Sequence, residues 1–287
     1  MPFPAPEGTE FLEHLGTGTV FDVALVRDTL AGGALGRRSV ICKRLSTRAV
    51  REPAGRAAIV REAKALALAR HPALPTLIRV GADGHGPFVI EARVEGVSLR
   101  EVLEGWRARG RTPPASLVRH VVRAAVEALA EIQELERADG GGALGLVHGD
   151  LDPDHVLLGP IGEIGLVDLG AARFRGMDPG LETADRGTLP FVAPEIARGE
   201  SPPTAVADVY AMAATLAFFA TGQPLTRARD EAAVLMEIGE AGVQLEALAA
   251  ADGLSPGQRA GLARALAQDP ADRPSSARAL LLVLDGG

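Results

Sequence analysis

Leu146-Val147-His148-Gly149-Asp150-Leu151-Asp152-Pro153-Asp154-His155-Val156-Leu157-Leu158 is the stretch on which the fold turns. Val156–Leu158 and Ile164–Val167 read as two short strands beside a loop dense in acids and histidine. Val167-Asp168-Leu169-Gly170 follows the second strand. Just upstream, Asp139–Gly145 is a Gly-rich break. Before it lies a long helix, with Thr112 as cap, Pro113 in the first turn, and an apolar stripe of Leu117, Val118, Val121, Val122, Ala125, Leu129 and Ile132. Downstream, helices are expected over Asp208–Thr221, Asp230–Leu248, Pro256–Gln268 (capped by Ser255) and Ser275–Leu284.

Towards the N-terminus the pattern changes. Thr19–Val26 and Ser39–Leu45 suit strands, with Ala31–Gly36 as a Gly-rich turn between them. Pro53–Arg70 suits a helix with Ile59, Ala63, Leu66 and Ala67 on one face. Thr76–Val80 and Pro87–Ile90 suit a hairpin around Ala82–Gly86. The chain thus divides into a small β-rich part and a larger helical part.

The 287 residues carry a net charge of −7, and no basic face for nucleic acid is expected. Cys42 is the only cysteine, which excludes an internal disulfide and a cysteine metal site. The start of the chain is Pro-rich and acidic, unlike a signal peptide, and Val209–Thr221 is too short to span a bilayer. A cytoplasmic protein is expected. Lysine occurs only at Lys43 and Lys64, and asparagine is absent, a bias like that of GC-rich bacterial coding.

The decisive stretch resembles the catalytic loop of protein kinases, H-R-D-L-K-P-x-N, and Asp168-Leu169-Gly170 resembles their D-F-G. Gly187-Thr188-Leu189-Pro190-Phe191-Val192-Ala193-Pro194-Glu195 resembles G-T-x-x-Y-x-A-P-E, and Arg273 matches the arginine that pairs with its glutamate. Gly16-Thr17-Gly18-Thr19-Val20-Phe21-Asp22-Val23 resembles the Gly-rich loop, Val40-Ile41-Cys42-Lys43 resembles V-A-I-K, and Glu62 falls in the next helix. Asp208-Val209-Tyr210-Ala211 resembles the start of the central helix. The chain is similar to bacterial Ser/Thr protein kinases over nearly its whole length.

The resemblance implies an α+β bilobal fold over residues 10–287, with an N-lobe over about 10–91, a C-lobe over about 97–284 and an arm over 1–9. It implies ATP with Mg²⁺ or Mn²⁺, and a protein substrate or a regulated protein partner. Asp150 would orient the acceptor hydroxyl and take its proton; Lys43, paired with Glu62, would fix the phosphates. Gly16, Gly18, Val23, Ile41, Lys43, Leu157 and Asp168 would contact the nucleotide, and Asp168 and His155 would hold metal. Leu66, His148 and Leu169 match the apolar column that joins the lobes.

Five positions depart from the family pattern. His155 replaces the asparagine ligand of the second metal, and imidazole suits softer ions than Mg²⁺. Asp152 replaces a lysine at the γ-phosphate; two like charges at ~4 Å cost about 4 kcal/mol at an effective dielectric of about 20. That is worth roughly three decades in rate. Gly149 removes the arginine that reads a phosphate on the activation segment, which weakens Thr183 and Thr188 as switches. Ile41 crowds the adenine position, and Phe21 takes the third glycine of the loop, either inside the pocket or turned away from it. Glu91–Glu95 is one residue longer than a hinge needs before Gly96. A pseudokinase or weakly active kinase is the first reading and an active Ser/Thr kinase the second. A small-molecule phosphotransferase has only His148-Gly149-Asp150 in its favour.

Overall fold

The structure, a computed structural model, describes residues 3–30, 38–182 and 187–286. The expected Ala31–Gly36 turn and Thr183 lie outside the described residues. The first half is an antiparallel sheet. β1 (Thr9–Thr17) pairs with β2 (Phe21–Asp28), and β2 pairs with β3 (Ser39–Leu45). Helix α1 (Pro53–Leu68) follows, then β4 (Leu77–Asp83) and β5 (Gly86–Ala92), giving the order β1-β2-β3-β5-β4. One sheet face buries Ala24, Val26, Val40, Cys42, Phe88 and Ile90, with Phe3 of the arm packed on them. The other face meets Ile59 and Leu66 of α1.

The strand expected over Thr19–Val26 begins at Phe21, and a further strand, Thr9–Thr17, precedes it across a tight turn. Gly18 N–H donates to Phe21 O at 2.7 Å. β1 escaped because its register shifts between Phe11 and Glu13 and between His14 and Gly16 break the period of two.

β6 (Val97–Ser98) opens the second half and α2 (Leu99–Arg107) follows, started by a Ser98–Glu101 capping box. α3 (Ala115–Gln133) starts later than expected, with Pro114 and not Thr112 as its cap. A residue before proline is biased away from the helical region, and Thr112 and Pro113 each precede a proline, which fits a helix that begins only after Pro114. β7 (Val156–Leu158) pairs with β6 on one side and with β8 (Ile164–Leu166) on the other, in the order β6-β7-β8, and the acidic loop leads into β7.

Then come α4 (Pro194–Ala197), α5 (Ala205–Thr221), α6 (Glu231–Met236), α7 (Glu246–Ala249), α8 (Pro256–Ala265) and α9 (Ala277–Asp285). The single helix expected over Asp230–Leu248 is split. After α6 the chain widens into a π-helical turn, Glu237–Ala241, and Gly242 at φ +77° ends it. Helix α5 is buried on almost every side, and one continuous core runs from Phe21 and Leu66 to Leu280 and Leu284. No described helix is long and apolar enough to cross a membrane. The architecture is the α+β bilobal protein kinase fold.

Candidate active site

β3 alternates its side chains, which puts Ile41 and Lys43 on the face towards α1. Lys43 Nζ donates to Glu62 Oε1, lies 3.5 Å from Glu91 Oε1 and 3.8 Å from Asp168 Oδ1. Lys43, Glu62 and Glu91 are 4, 0 and 3% exposed, so this charge cluster is dry. Burial alone would lower the Lys43 pKa, but Asp168, Glu62 and Glu91 raise it, so the ammonium stays charged. Burial raises the Glu62 and Glu91 carboxyls. One oxygen of each, Oε2, has no hydrogen-bond partner among the described residues.

Glu91 was read only as the start of an ambiguous hinge. The register shows its place: Lys43 pairs with Val89 and Ile41 with Glu91, so Glu91 shares the face of Lys43. The hinge proper is then the segment after Ala92, the end of β5.

The open question at Phe21 resolves inward. Its side chain is 6% exposed and its ring centroid lies 5.8 Å from Lys43 Nζ. A Cβ added to Gly170 would come within 2.8 Å of Phe21 Cε2. The ring therefore fills the space between the lysine and the Asp168-Leu169-Gly170 turn. Gly16 and Gly18 have room for a side chain, with nothing nearer than Phe21 O at 3.5 Å from Gly18. Val23 faces Lys43 across the β2–β3 register. Ile41 on β3 and Leu157 on β7 are half-buried.

Asp208, in the first turn of α5, fixes the acidic loop from below. Its Oδ2 accepts from His148 N–H at 2.6 Å and its Oδ1 from Gly149 N–H at 2.9 Å. Asp150 Oδ1 accepts from Thr188 N–H at 2.7 Å, tying the loop to the segment before Ala193-Pro194-Glu195. Burial raises the Asp150 carboxyl.

His155 Nδ1 donates to the Asp150 carbonyl at 2.8 Å, which fixes the ring. The ring then sits 3.6 Å from each of Asp150 Oδ2, Asp152 Oδ1 and Asp168 Oδ2. Burial would lower its pKa, but Asp168, Asp152 and Asp150 push it up to about 9. Against burial, Lys43 and His155 hold Asp168 down to about 2. His155 thus enters neutral solution as a cation among carboxylates. Burial pushes His148 down to about 3, and its Nε2 donates to Val167 O at 3.0 Å.

Asp152 differs from the expected repulsive group beside a phosphate. It is 2% exposed, and its Oδ1 accepts from Asp154 N–H at 2.7 Å and His155 N–H at 3.0 Å. The short side chain turns back into its own loop, as aspartate often does.

The donors, carboxylates with one free imidazole nitrogen, offer a place for one ion rather than two. Asp150, Asp152 and His155 can each bring a ligand atom within 4.8 Å of the others. However, Nδ1 is spent on the Asp150 carbonyl, which leaves Nε2, facing Asp168. An ion shared by Asp168 and His155 would first displace the imidazolium proton.

Leu66, His148 and Leu169 are all fully buried between the halves, as the apolar column requires. Arg273 grips Glu195 with two bonds of 2.9 and 2.8 Å, and its guanidinium lies 4.9 Å over the Tyr210 ring. Sequence reasoning missed Arg61, a buried arginine of α1 that reaches the Gly170 and Leu181 carbonyls. Only its neighbour Glu62 carried a motif. Beyond the site, a groove of about 1000 Å³ opens between Gly187–Pro190 and the segment Gln223–Arg229.

Comparison with known proteins agrees with this arrangement. The protein kinase domain family model matches residues 9–282. The chain is 31% identical over 245 residues to the serine/threonine-protein kinase PknK of Mycobacterium tuberculosis, covering 84% of this chain and 20% of that one. It is 30% identical over 221 residues to the serine/threonine-protein kinase PknL of the same species, covering 76% of this chain and 51% of that one. The chain therefore spans a fifth of the first relative and half of the second. On this match, and on the lysine–glutamate pair, the acidic loop and the buried Glu195–Arg273 bridge, the chain belongs to the protein kinase family.

Proposed function

We propose that this chain is a Ser/Thr protein kinase-like signalling protein, a pseudokinase or weakly active kinase, that binds ATP weakly through a partly degraded site. The position of Phe21 carries this reading. Its ring stands between Lys43 and Gly170, where Lys43 would have to meet the phosphates. Glu91 adds to the obstacle, because a third carboxylate already faces the ammonium. In this reading Asp168, with His155 Nε2, would hold Mg²⁺ or Mn²⁺, and Lys43 would orient the α- and β-phosphates. ATP, when bound, would supply the transferable phosphoryl group, and Asp150 would accept the hydroxyl proton. The groove beside Gly187–Pro190 offers room for a protein substrate or partner. A cytoplasmic setting fits the same reading.

Thermal denaturation with ATP and Mg²⁺, with Mn²⁺, and without metal tests it, because a ligand of the folded state must raise the melting temperature. A small shift in the wild type should grow in Phe21→Ala, with affinity for ATP rising roughly tenfold, about 1.4 kcal/mol. Phe→Ala in a core costs about 3–5 kcal/mol, so Phe21→Leu serves as a folded control that keeps the plug. Weaker ATP binding in a folded Phe21→Ala would sink the reading.

A fully active kinase is the second reading, favoured by the joined Lys43–Glu62 pair and by the Asp150–Thr188 bond. Robust ³²P transfer to a protein substrate, lost in Asp150→Ala, would establish it.

A further inference from the structure

Helix α1 carries two neighbouring residues aimed at the site. Glu62 takes Lys43. Arg61, 3% exposed, points instead at the segment that follows Asp168. Its Nε donates to Gly170 O at 2.6 Å, its Nη2 donates to the same oxygen, and its Nη1 donates to Leu181 O at 3.0 Å. A guanidinium fork thereby joins two turns of the activation segment, Leu169–Ala171 and Pro179–Leu181.

Two further observations bear on this contact. The Gly170 peptide is held at its other end too, since its N–H donates to Asp168 Oδ1 at 3.2 Å. Asp168 itself sits at φ +67°, an uncommon conformation for a residue with a side chain. Gly149 meets the segment from the C-lobe, at φ +82°, and a Cβ there would collide with Ala171 O. The activation segment therefore lies directly on the loop at the position where the family's arginine would stand.

We infer that Arg61 is a positioning residue, which holds the activation segment and with it Asp168 in place by hydrogen-bond geometry and without a phosphate. One helix then sets both halves of the charge cluster: Glu62 places Lys43, and Arg61 places Asp168 through Gly170. The inference is independent of whether phosphate is transferred, because it concerns the shape of the unliganded protein.

Hydrogen exchange read by mass spectrometry on phosphatase-treated protein tests it, with wild type, Arg61→Lys and Arg61→Gln compared. Lysine keeps the charge but not the fork. In both variants the amides of Ala172, Leu181 and Glu182, which bond within the two turns, should exchange roughly ten- to a hundredfold faster. Amides of α5 should be unchanged. Segment exchange as slow in Arg61→Lys as in the wild type would overturn the fork as the holding element. A uniform acceleration that includes α5 would make Arg61 a general stabiliser and overturn it equally. Faster segment exchange in the wild type on phosphatase treatment alone would show that a phosphate does the holding.

Discussion

His155 shows how one side chain can change the electrostatics of a whole loop. An asparagine there would be neutral at every pH, whereas this imidazole sits 3.6 Å from each of three carboxylates. Its folded pKa, about 9, lies above the ordinary value of 6.5. Its contribution to stability is therefore fully present below pH 6.5 and is lost as pH rises through 9. In metal-free buffer, the unfolding free energy from urea titrations should fall between those limits by up to about 3 kcal/mol in the wild type, and the slope should flatten in His155→Asn. Asp168 acts at the other end. Because it is held down to about 2, its contribution is full above its ordinary pKa of 3.8 and is lost as pH falls through about 2. Lys43, Glu62, Asp150 and Asp168 were legible because motif spacing alone locates them. Glu91 was not, and at Phe21 the position was legible but not the direction of the ring. Their importance lies in which way a strand faces and which way a turn folds, and only backbone register supplies that.

Elements joined by single bridges come next in scale. α4 is only a four-residue helix, and Glu195 ties it to Arg273, ahead of α9. Both side chains are buried, so removing one leaves the other charged and unpaired. Arg273→Met should cost about 3–5 kcal/mol by urea denaturation, and Glu195→Leu with Arg273→Met should recover much of that loss. β3, α1 and β7 were legible from their apolar runs. The Asp230–Leu248 region was not, because no sequence period marks a π-helical turn. There Glu237 folds back to accept from Arg227 N–H and Ala228 N–H at 2.9 Å, which helps shape one wall of the groove.

Across the whole molecule, the core shared by sheet and helices predicts that the lobes unfold together. Cys42 and Trp106 make this measurable, being the only residues of their kinds. Cys42 is fully buried in the N-lobe sheet, and burial pushes its thiol up to about 12, so it reacts only when that lobe opens. Trp106 lies on α2 in the C-lobe. Thiol labelling of Cys42 and fluorescence of Trp106 should give coincident denaturation midpoints. Separate midpoints would mean that the continuous core does not couple the lobes. The bilobal plan itself was readable from the change of hydrophobic period near Val97, whereas the closeness of the lobes depends on long-range packing that no local window contains.

Gly149 limits what a single substitution can do at this loop. Arginine at this position would drive a side chain into the Ala171 carbonyl from a left-handed backbone. The segment would have to move away first, and Arg61 opposes that movement. The contact that seats the segment on the loop and an arginine that would read a phosphate there therefore exclude each other: the second needs the space that the first fills.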